Sequence, residues 1–396
     1  MRPHAQSVMP NFHALRIALI GNHPPRRCGI ATYTRDVAAA LRAAGHAVHV
    51  TAMSEPGSTH AYGAAVDLVV PRDLRAAYAA TERAIARWRP DVVLVQHEFG
   101  IFGGPAGLWL TDLLDAARVP AILQLHTVLG HPDRDQRAAM DALYRRAAGI
   151  VVMARSGRDI LRGTYGTGVP IDVIPHGVPD HPPVQPAAMR RRLGWPERPT
   201  LLTFGLLSPG KGIETAIEAL PAILERVPDV RYVLLGATHP ALLAQEGERY
   251  RDGLAARARQ LGVDHALNME NRYVDDGDLC DALRAADLYV TPYLNPEQIT
   301  SGTLAYALAC GVPTVSTPYR HAEEVLEPDF LFPFGDAGAL AARSVPLLSR
   351  PSLRDAVGRG LWTASRAAIW PVHASRLGEA LRAAARTANV LAIPAA

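Results

Sequence analysis

Short apolar runs alternate with longer stretches whose apolar residues recur at helical spacing through most of this chain. That alternation is the pattern of βαβ units and of parallel sheets. In the first half it predicts strands at Arg16–Ile20, Ala47–Ala52, Asp67–Val70, Val92–Gln96, Ala121–Leu125, Ile150–Met153 and Asp172–Ile174. Helices are predicted between them at Ile30–Ala44, Asp73–Arg87, Pro105–Ala117, Arg134–Ala147 and Ser156–Leu161. The stretch Pro179 to Pro199 carries six prolines and no sustained apolar period, so it reads as an interdomain linker.

The same grammar then restarts, with strands expected at Thr200–Phe204, Arg231–Leu235, Ala266–Met269, Leu288–Thr291 and Thr314–Ser316. Helical segments follow at Ala337–Leu348 and Leu353–Ala368. Pro371 should break or kink the pattern near Trp370, which makes Val372–Ala385 a separate final helix. The expected fold class is therefore α/β, with two Rossmann-like, doubly wound domains facing across a cleft. Residues 1–185 form the first domain, residues 195–370 the second, and a helix within 372–390 crosses back to the first. Ligands in such sheets sit at the C-terminal ends of the strands.

The length of 396 residues suits two cores rather than one. A formal charge of +3 from 41 basic and 38 acidic residues gives no field for a nucleic acid, and the basic runs Arg145-Arg146 and Arg190-Arg191-Arg192 read as solvated helix faces. Cys28, Cys280 and Cys310 are separated along the chain and lack zinc spacing, as expected of reduced thiols in a cytosolic protein. The polar stretch Met1 to His13 and the short apolar run after it match neither a signal peptide nor a membrane span.

Among the 41 Lys and Arg residues only Lys211 is a lysine. It lies in Ser208-Pro209-Gly210-Lys211-Gly212, after a strand and at the mouth of a helix. Backbone N–H groups, a helix N-terminus and one compact ammonium together suit a phosphate. The loop His23 to Ile30 repeats this arrangement in the first domain, where Gly29 lets a ligand approach the backbone. His97-Glu98, His126-Thr127 and His176-Gly177 each follow a strand and so point to a cleft-lining role. Asp133-Arg134-Asp135 and Asp276-Gly277-Asp278 precede helices and read as N-caps rather than metal ligands. The segment Pro292 to Gly311 is the densest: Glu297 is the only carboxylate in its loop, and Thr300, Ser301 and Thr303 offer hydroxyls where a helix of small residues begins.

From about Leu15 to about Ala385 the chain resembles the retaining family-4 (group 1) glycosyltransferases of GT-B fold. The motifs that carry the likeness are the Gly29 loop with Gly45-His46-Ala47-Val48, the His126 strand end, Val173 to Val178, Phe204 to Gly212, and Glu297 to Gly311. The resemblance implies that a hexosyl group moves from a nucleotide diphosphate sugar to a hydroxyl of a saccharide, lipid or small molecule. It further implies retained configuration, no metal and no resident cofactor. By the same resemblance Lys211, His126 and Glu297 are the catalytic set. Gly29, His176, Gly205, Gln298, Ile299, Thr300, Ser301, Gly302, Thr303 and Tyr306 line the donor, and His97 and Glu98 the acceptor side. Two positions depart from the motif: Leu206 stands where an arginine usually follows Gly205, and Tyr306 or Ala305 replaces the second glutamate. A catalytically silent sugar- or nucleotide-binding member, a sugar-nucleotide epimerase and a phosphorylase-like enzyme are the alternatives of this fold. The expected location is the cytosol, with or without peripheral contact with the inner membrane face.

Overall fold

The computed structural model describes residues 13–391 apart from Thr59 and Arg118, so most of the polar opening stretch lies outside the described residues. The first sheet contains β1 (Arg16–Gly21), β2 (Ala47–Ser54), β3 (Leu68–Pro71), β4 (Val92–His97), β5 (Ala121–Leu125), β6 (Ala147–Val152) and β7 (Ile171–Val173). They pair in parallel in the order β3-β2-β1-β4-β5-β6-β7. Every residue of β4 and β5 is buried, as central strands covered by helices on both faces must be. The covering helices are α1 (Gly29–Ala43), α2 (Arg75–Trp88), α3 (Leu110–Ala117), α4 (Arg134–Tyr144) and α5 (Arg155–Ile160).

After a linker helix, α6 (Pro186–Leu193), the second sheet forms from β8 (Thr200–Phe204), β9 (Arg231–Leu235), β10 (Leu267–Glu270), β11 (Leu288–Thr291) and β12 (Thr314–Ser316). Its order is β10-β9-β8-β11-β12, again all parallel. Around it lie α7 (Ile213–Leu224), α8 (Pro240–Glu246), α9 (Arg249–Gln260), α10 (Asp276–Ala285), α11 (Gly302–Ala309), α12 (Arg320–Val325), α13 (Ala337–Ser349) and α14 (Pro351–Ser365). In both sheets the strand order reverses beside the first strand, between β1 and β4 and between β8 and β11. Such a reversal opens a crevice at the strand C-termini.

Three local expectations change. The linker is not structureless: Pro186 occupies the first turn of α6, where its missing N–H costs nothing, and Gly194 closes the helix in the left-handed region. Arg190 on that helix is buried rather than solvated, and it donates to Asp287 Oδ2 at 2.9 Å and to the Ala285 carbonyl at 3.0 Å. The cap of α10 is Asp275, which accepts from Asp278 N at 2.9 Å, while Asp276 reaches across to pair with Arg35 of α1.

The helix break expected near Trp370 is present, but it falls at Ile369, and Pro371 lies in the first turn of α15 (Trp370–Leu391). The α15 residues Ala374, Leu377, Ala380, Leu381 and Ala384 are buried against Ile17 and Leu19 of β1 and Val37 and Leu41 of α1. The last helix therefore completes the core of the first domain. Ile299 of the second domain is likewise buried among first-domain side chains, and the Glu324 carboxylate accepts from Arg155 N at 2.7 Å and Ser156 N at 3.2 Å at the head of α5. No helix among the described residues is long and apolar enough to cross a membrane.

Candidate functional site

The second-domain half of the cleft is built around Lys211. A single 3-10 turn, Pro209–Lys211, ends at Gly212, whose φ of +59° is left-handed and whose added Cβ would stand 2.0 Å from the Pro292 carbonyl oxygen. Only glycine fits there, and the close approach brings the Lys211 ammonium to 3.9 Å from the centre of the Tyr293 ring. Burial pushes the Tyr293 phenol up, but the neighbouring ammonium and hydrogen bonds outweigh it and leave it below its usual value. The phenol lies 2.7 Å from Thr303 Oγ1, which lies 3.0 Å from Ser301 Oγ. Ser301 caps α11 by accepting from Leu304 N at 3.3 Å. Lys211 and the N-terminus of α11 thus meet through a short polar chain, and Gly205, at the end of β8, lies beside the Thr303 methyl.

Glu297 and Gln298 lie in the loop before α11. The Glu297 carboxylate is held by Arg320, whose Nε and Nη2 donate to its Oε2 at 3.0 and 2.9 Å. Both side chains remain about two-fifths exposed, at 41% and 39%. Helix capping falls to Ser301, not to Glu297. Gln298 donates to the Thr300 carbonyl at 2.9 Å, and the Thr300 hydroxyl is buried without a partner. His321, at the start of α12, accepts from Ser301 N at 3.0 Å through Nδ1, and burial holds its ring down at about 4.

From the first domain, His176 faces this helix start, and His126 stands behind Tyr33 on its other side. An added Cβ on Gly302 would lie 3.0 Å from His176 Nε2, so the backbone at the head of α11 approaches that ring closely. His176 Nδ1 donates to the Gly177 carbonyl at 2.8 Å. Burial, with smaller contributions from neighbouring charges, lowers both His126 and His176 to about 3, so both rings are neutral at pH 7. Tyr33 of α1 lies between them, 5.0 Å from the His126 ring and 4.7 Å from the His176 ring. Gly29 opens α1 directly after its cap, Cys28, and nothing lies within 4 Å of where its side chain would begin.

His97 is set deeper than the other two histidines. It is 1% exposed, stacks on Phe102 at 6.0 Å, and is lowered to about 4 by burial. Glu98 accepts from Thr127 Oγ1 at 2.6 Å and from Phe99 N at 2.8 Å, and burial raises its carboxyl above the usual range. Tyr306, one of the two residues expected where the motif carries its second glutamate, is 7% exposed and donates to Asp36 Oδ2 of α1 at 3.4 Å. Burial, only partly offset by Arg35, raises Asp36 to about 6. Asp36, Arg35 and Asp276 therefore form a charged cluster across the cleft that sequence reading missed, because its members lie on helices of different domains. Among the described residues no group of three His, Cys, Asp or Glu side chains is placed to hold a metal ion.

Two family profiles match the chain, one for each half. "Glycosyltransferase Family 4" covers residues 28–181 and "Glycosyl transferases group 1" covers residues 198–350. The chain belongs to the family-4, group 1 glycosyltransferases. This glycosyltransferase is 27% identical over 388 residues to the phosphatidyl-myo-inositol mannosyltransferase of Mycolicibacterium smegmatis, covering 89% of this chain and 92% of that one. The enzyme of the same name from Mycobacterium leprae is 32% identical over 173 residues, which is 43% of this chain and 42% of that protein. The mannosylfructose-phosphate synthase of Agrobacterium fabrum is 30% identical over 183 residues, 44% of this chain and 38% of that one. Among solved structures, Anabaena Alr3699/HepE in complex with UDP and glucose superposes with a TM-score of 0.73 at 17% identity, over 93% of this chain and 99% of that one. A glycosyltransferase from Rickettsia africae gives 0.74 at 14% identity, over 94% and 99%. The fold of this glycosyltransferase is GT-B.

Proposed function

We propose that this glycosyltransferase moves a hexosyl group, mannosyl by preference, from a nucleoside diphosphate sugar to a hydroxyl acceptor, with retention and without a metal ion or resident cofactor. The observation that carries the reading is the meeting of Lys211 with the capped N-terminus of α11, opposite the neutral, half-buried His176. The ammonium and the helix-start N–H groups suit a diphosphate. As the bond to the anomeric carbon breaks, charge grows on the leaving diphosphate, and preorganised donors lower the barrier there. The leaving oxygen can then take the proton of a hydroxyl attacking from the same face, which retains the configuration. His176, whose Nδ1 donates to the Gly177 carbonyl, keeps Nε2 as an acceptor for a sugar hydroxyl, and His126, whose Nε2 is engaged by Gln96, keeps Nδ1 for another. The preference for mannose rests on the mannosyl-transferring relatives. A cytosolic location with peripheral membrane contact draws on the inositol-lipid acceptor in two of their names.

One observation favours a second reading, a sugar-binding member without transfer: Tyr306 or Ala305 stands at the motif's second glutamate position and Leu206 at its arginine position, and Arg320 holds Glu297. Incubating the protein with GDP-mannose or UDP-glucose and a panel of hydroxyl acceptors, in EDTA and then with manganese, separates the two. The expected result is an α-linked product from an α-linked donor, its anomeric configuration read by proton NMR, and equal rates in both buffers. Binding of a nucleotide sugar by calorimetry with no product would establish the second reading. Activity only with manganese would overturn metal independence.

A further inference from the structure

We propose that His373, on the last helix, is a positioning residue for His126, fixing through Tyr33, Gln124 and Gln96 which nitrogen of the His126 ring carries the proton. The inference rests on the reading of His126 as a residue of the donor site. A continuous hydrogen-bonded chain, buried along its middle, joins the two histidines. His373 Nδ1 lies 2.8 Å from the Pro175 carbonyl oxygen and its Nε2 lies 3.1 Å from the Tyr33 hydroxyl. Gln124 Nε2 lies 2.7 Å from that hydroxyl, Gln96 Nε2 lies 2.8 Å from Gln124 Oε1, and His126 Nε2 lies 2.8 Å from Gln96 Oε1.

The direction of every bond follows from one end. A backbone carbonyl only accepts, so His373 Nδ1 carries the proton. Burial lowers His373 to about 4, so the ring is neutral and its Nε2 has only a lone pair to offer. Tyr33 must therefore donate to His373, and its oxygen accepts from Gln124. Gln124 in turn accepts from Gln96, and Gln96 accepts from His126. The chain ends by requiring a proton on His126 Nε2 and a free lone pair on its Nδ1. Without the acceptor at His373, both glutamines can rotate their amides and the opposite tautomer becomes equally satisfied. A histidine's function depends on which nitrogen is protonated, and the partner of its other nitrogen sets this.

The test reads the proton directly. Long-range proton–nitrogen correlation spectra of 15N-histidine-labelled protein report the tautomer, with His126 identified by the signal lost in His126→Gln. Wild type is expected to show His126 protonated at Nε2. His373→Phe should give a mixture of tautomers, and His373→Gln, whose amide oxygen can stand near the lost Nε2, should restore the wild-type form. Tyr33→Phe breaks the same chain with both histidines kept, and serves if His373→Phe does not fold. In transfer assays kcat should fall roughly tenfold in His373→Phe, the lower end of the cost of losing an orienting partner, with donor KM unchanged and kcat recovered in His373→Gln. An Nδ1-protonated His126 in wild type, or an unaltered tautomer in His373→Phe and Tyr33→Phe, would overturn the relay. A changed tautomer with unchanged kcat would overturn its role in transfer. Absence of transfer in wild type would instead overturn the functional reading, and the spectra would still decide the relay.

Discussion

Lys211 is positioned by exclusion, since Gly212 admits no side chain beside the Pro292 carbonyl and the ammonium is left over Tyr293. Lys211→Ala should lower donor kcat/KM by roughly 10²–10³, the cost of one lost donor to a developing negative charge. Melting temperature should stay near wild type, and an unchanged kcat/KM would dissociate Lys211 from the diphosphate. Glu297 invites a comparison of kinetics with stability. Its pair with Arg320 is about two-fifths exposed, and such a pair contributes about 1 kcal/mol or less. Glu297→Gln should therefore melt close to wild type, while turnover falls roughly 10- to 100-fold, as expected for losing hydrogen bonds from a charged group to sugar hydroxyls. A lowered melting point with normal turnover would assign Glu297 to structure alone.

At the scale of elements, most of the fold was legible in the chain. Every strand of both sheets was found, because short apolar runs between amphipathic stretches have few other readings. Helix α6 was missed because its prolines, which argued against a helix, stand before it and in its first turn, where proline is tolerated. The capping role of the second acidic cluster was read correctly and its position missed by one residue, since three aspartates in four positions look alike until the backbone selects one. The two can be separated. Asp275→Ala should cost about 1 kcal/mol in denaturant unfolding, the usual loss for a helix cap. Asp276→Asn should keep the cap intact and release only Arg35. Equal losses from the two would mean that the cap is not confined to Asp275. The relay from His373 left no sequence signal, since Tyr33 and His373 are 340 positions apart and neither lies in a motif.

Across the whole molecule, five histidines whose rings are lowered by desolvation set the response to acid. His126 and His176 are lowered to about 3, and His97, His321 and His373 to about 4, from an ordinary value of 6.5. Between the lowered values and 6.5 the unfolded chain binds more protons than the folded one, so stability rises with pH across that window. The stabilisation is full above pH 6.5 and is lost as pH falls towards 4, at up to about 1.4 kcal/mol per pH unit for each histidine. Asp36, raised to about 6, runs the other way and offsets about one histidine between its ordinary carboxylate value and 6. Melting temperature should therefore be level above pH 6.5 and fall steeply below it. A flat profile down to pH 5 would mean that these rings reach water or a charge partner.

The order of synthesis gives the last helix a further meaning. The first domain leaves the ribosome first, yet the cluster around β1 and α1 lacks part of its apolar cover until α15, the final described segment, emerges. A chain cut short before Trp370 would keep both sheets but leave that face bare, and it would lack the histidine that sets the proton on His126. Emergence of α15 and readiness of the first domain are thus one event, so that a product truncated before that helix exposes apolar surface and cannot begin work early.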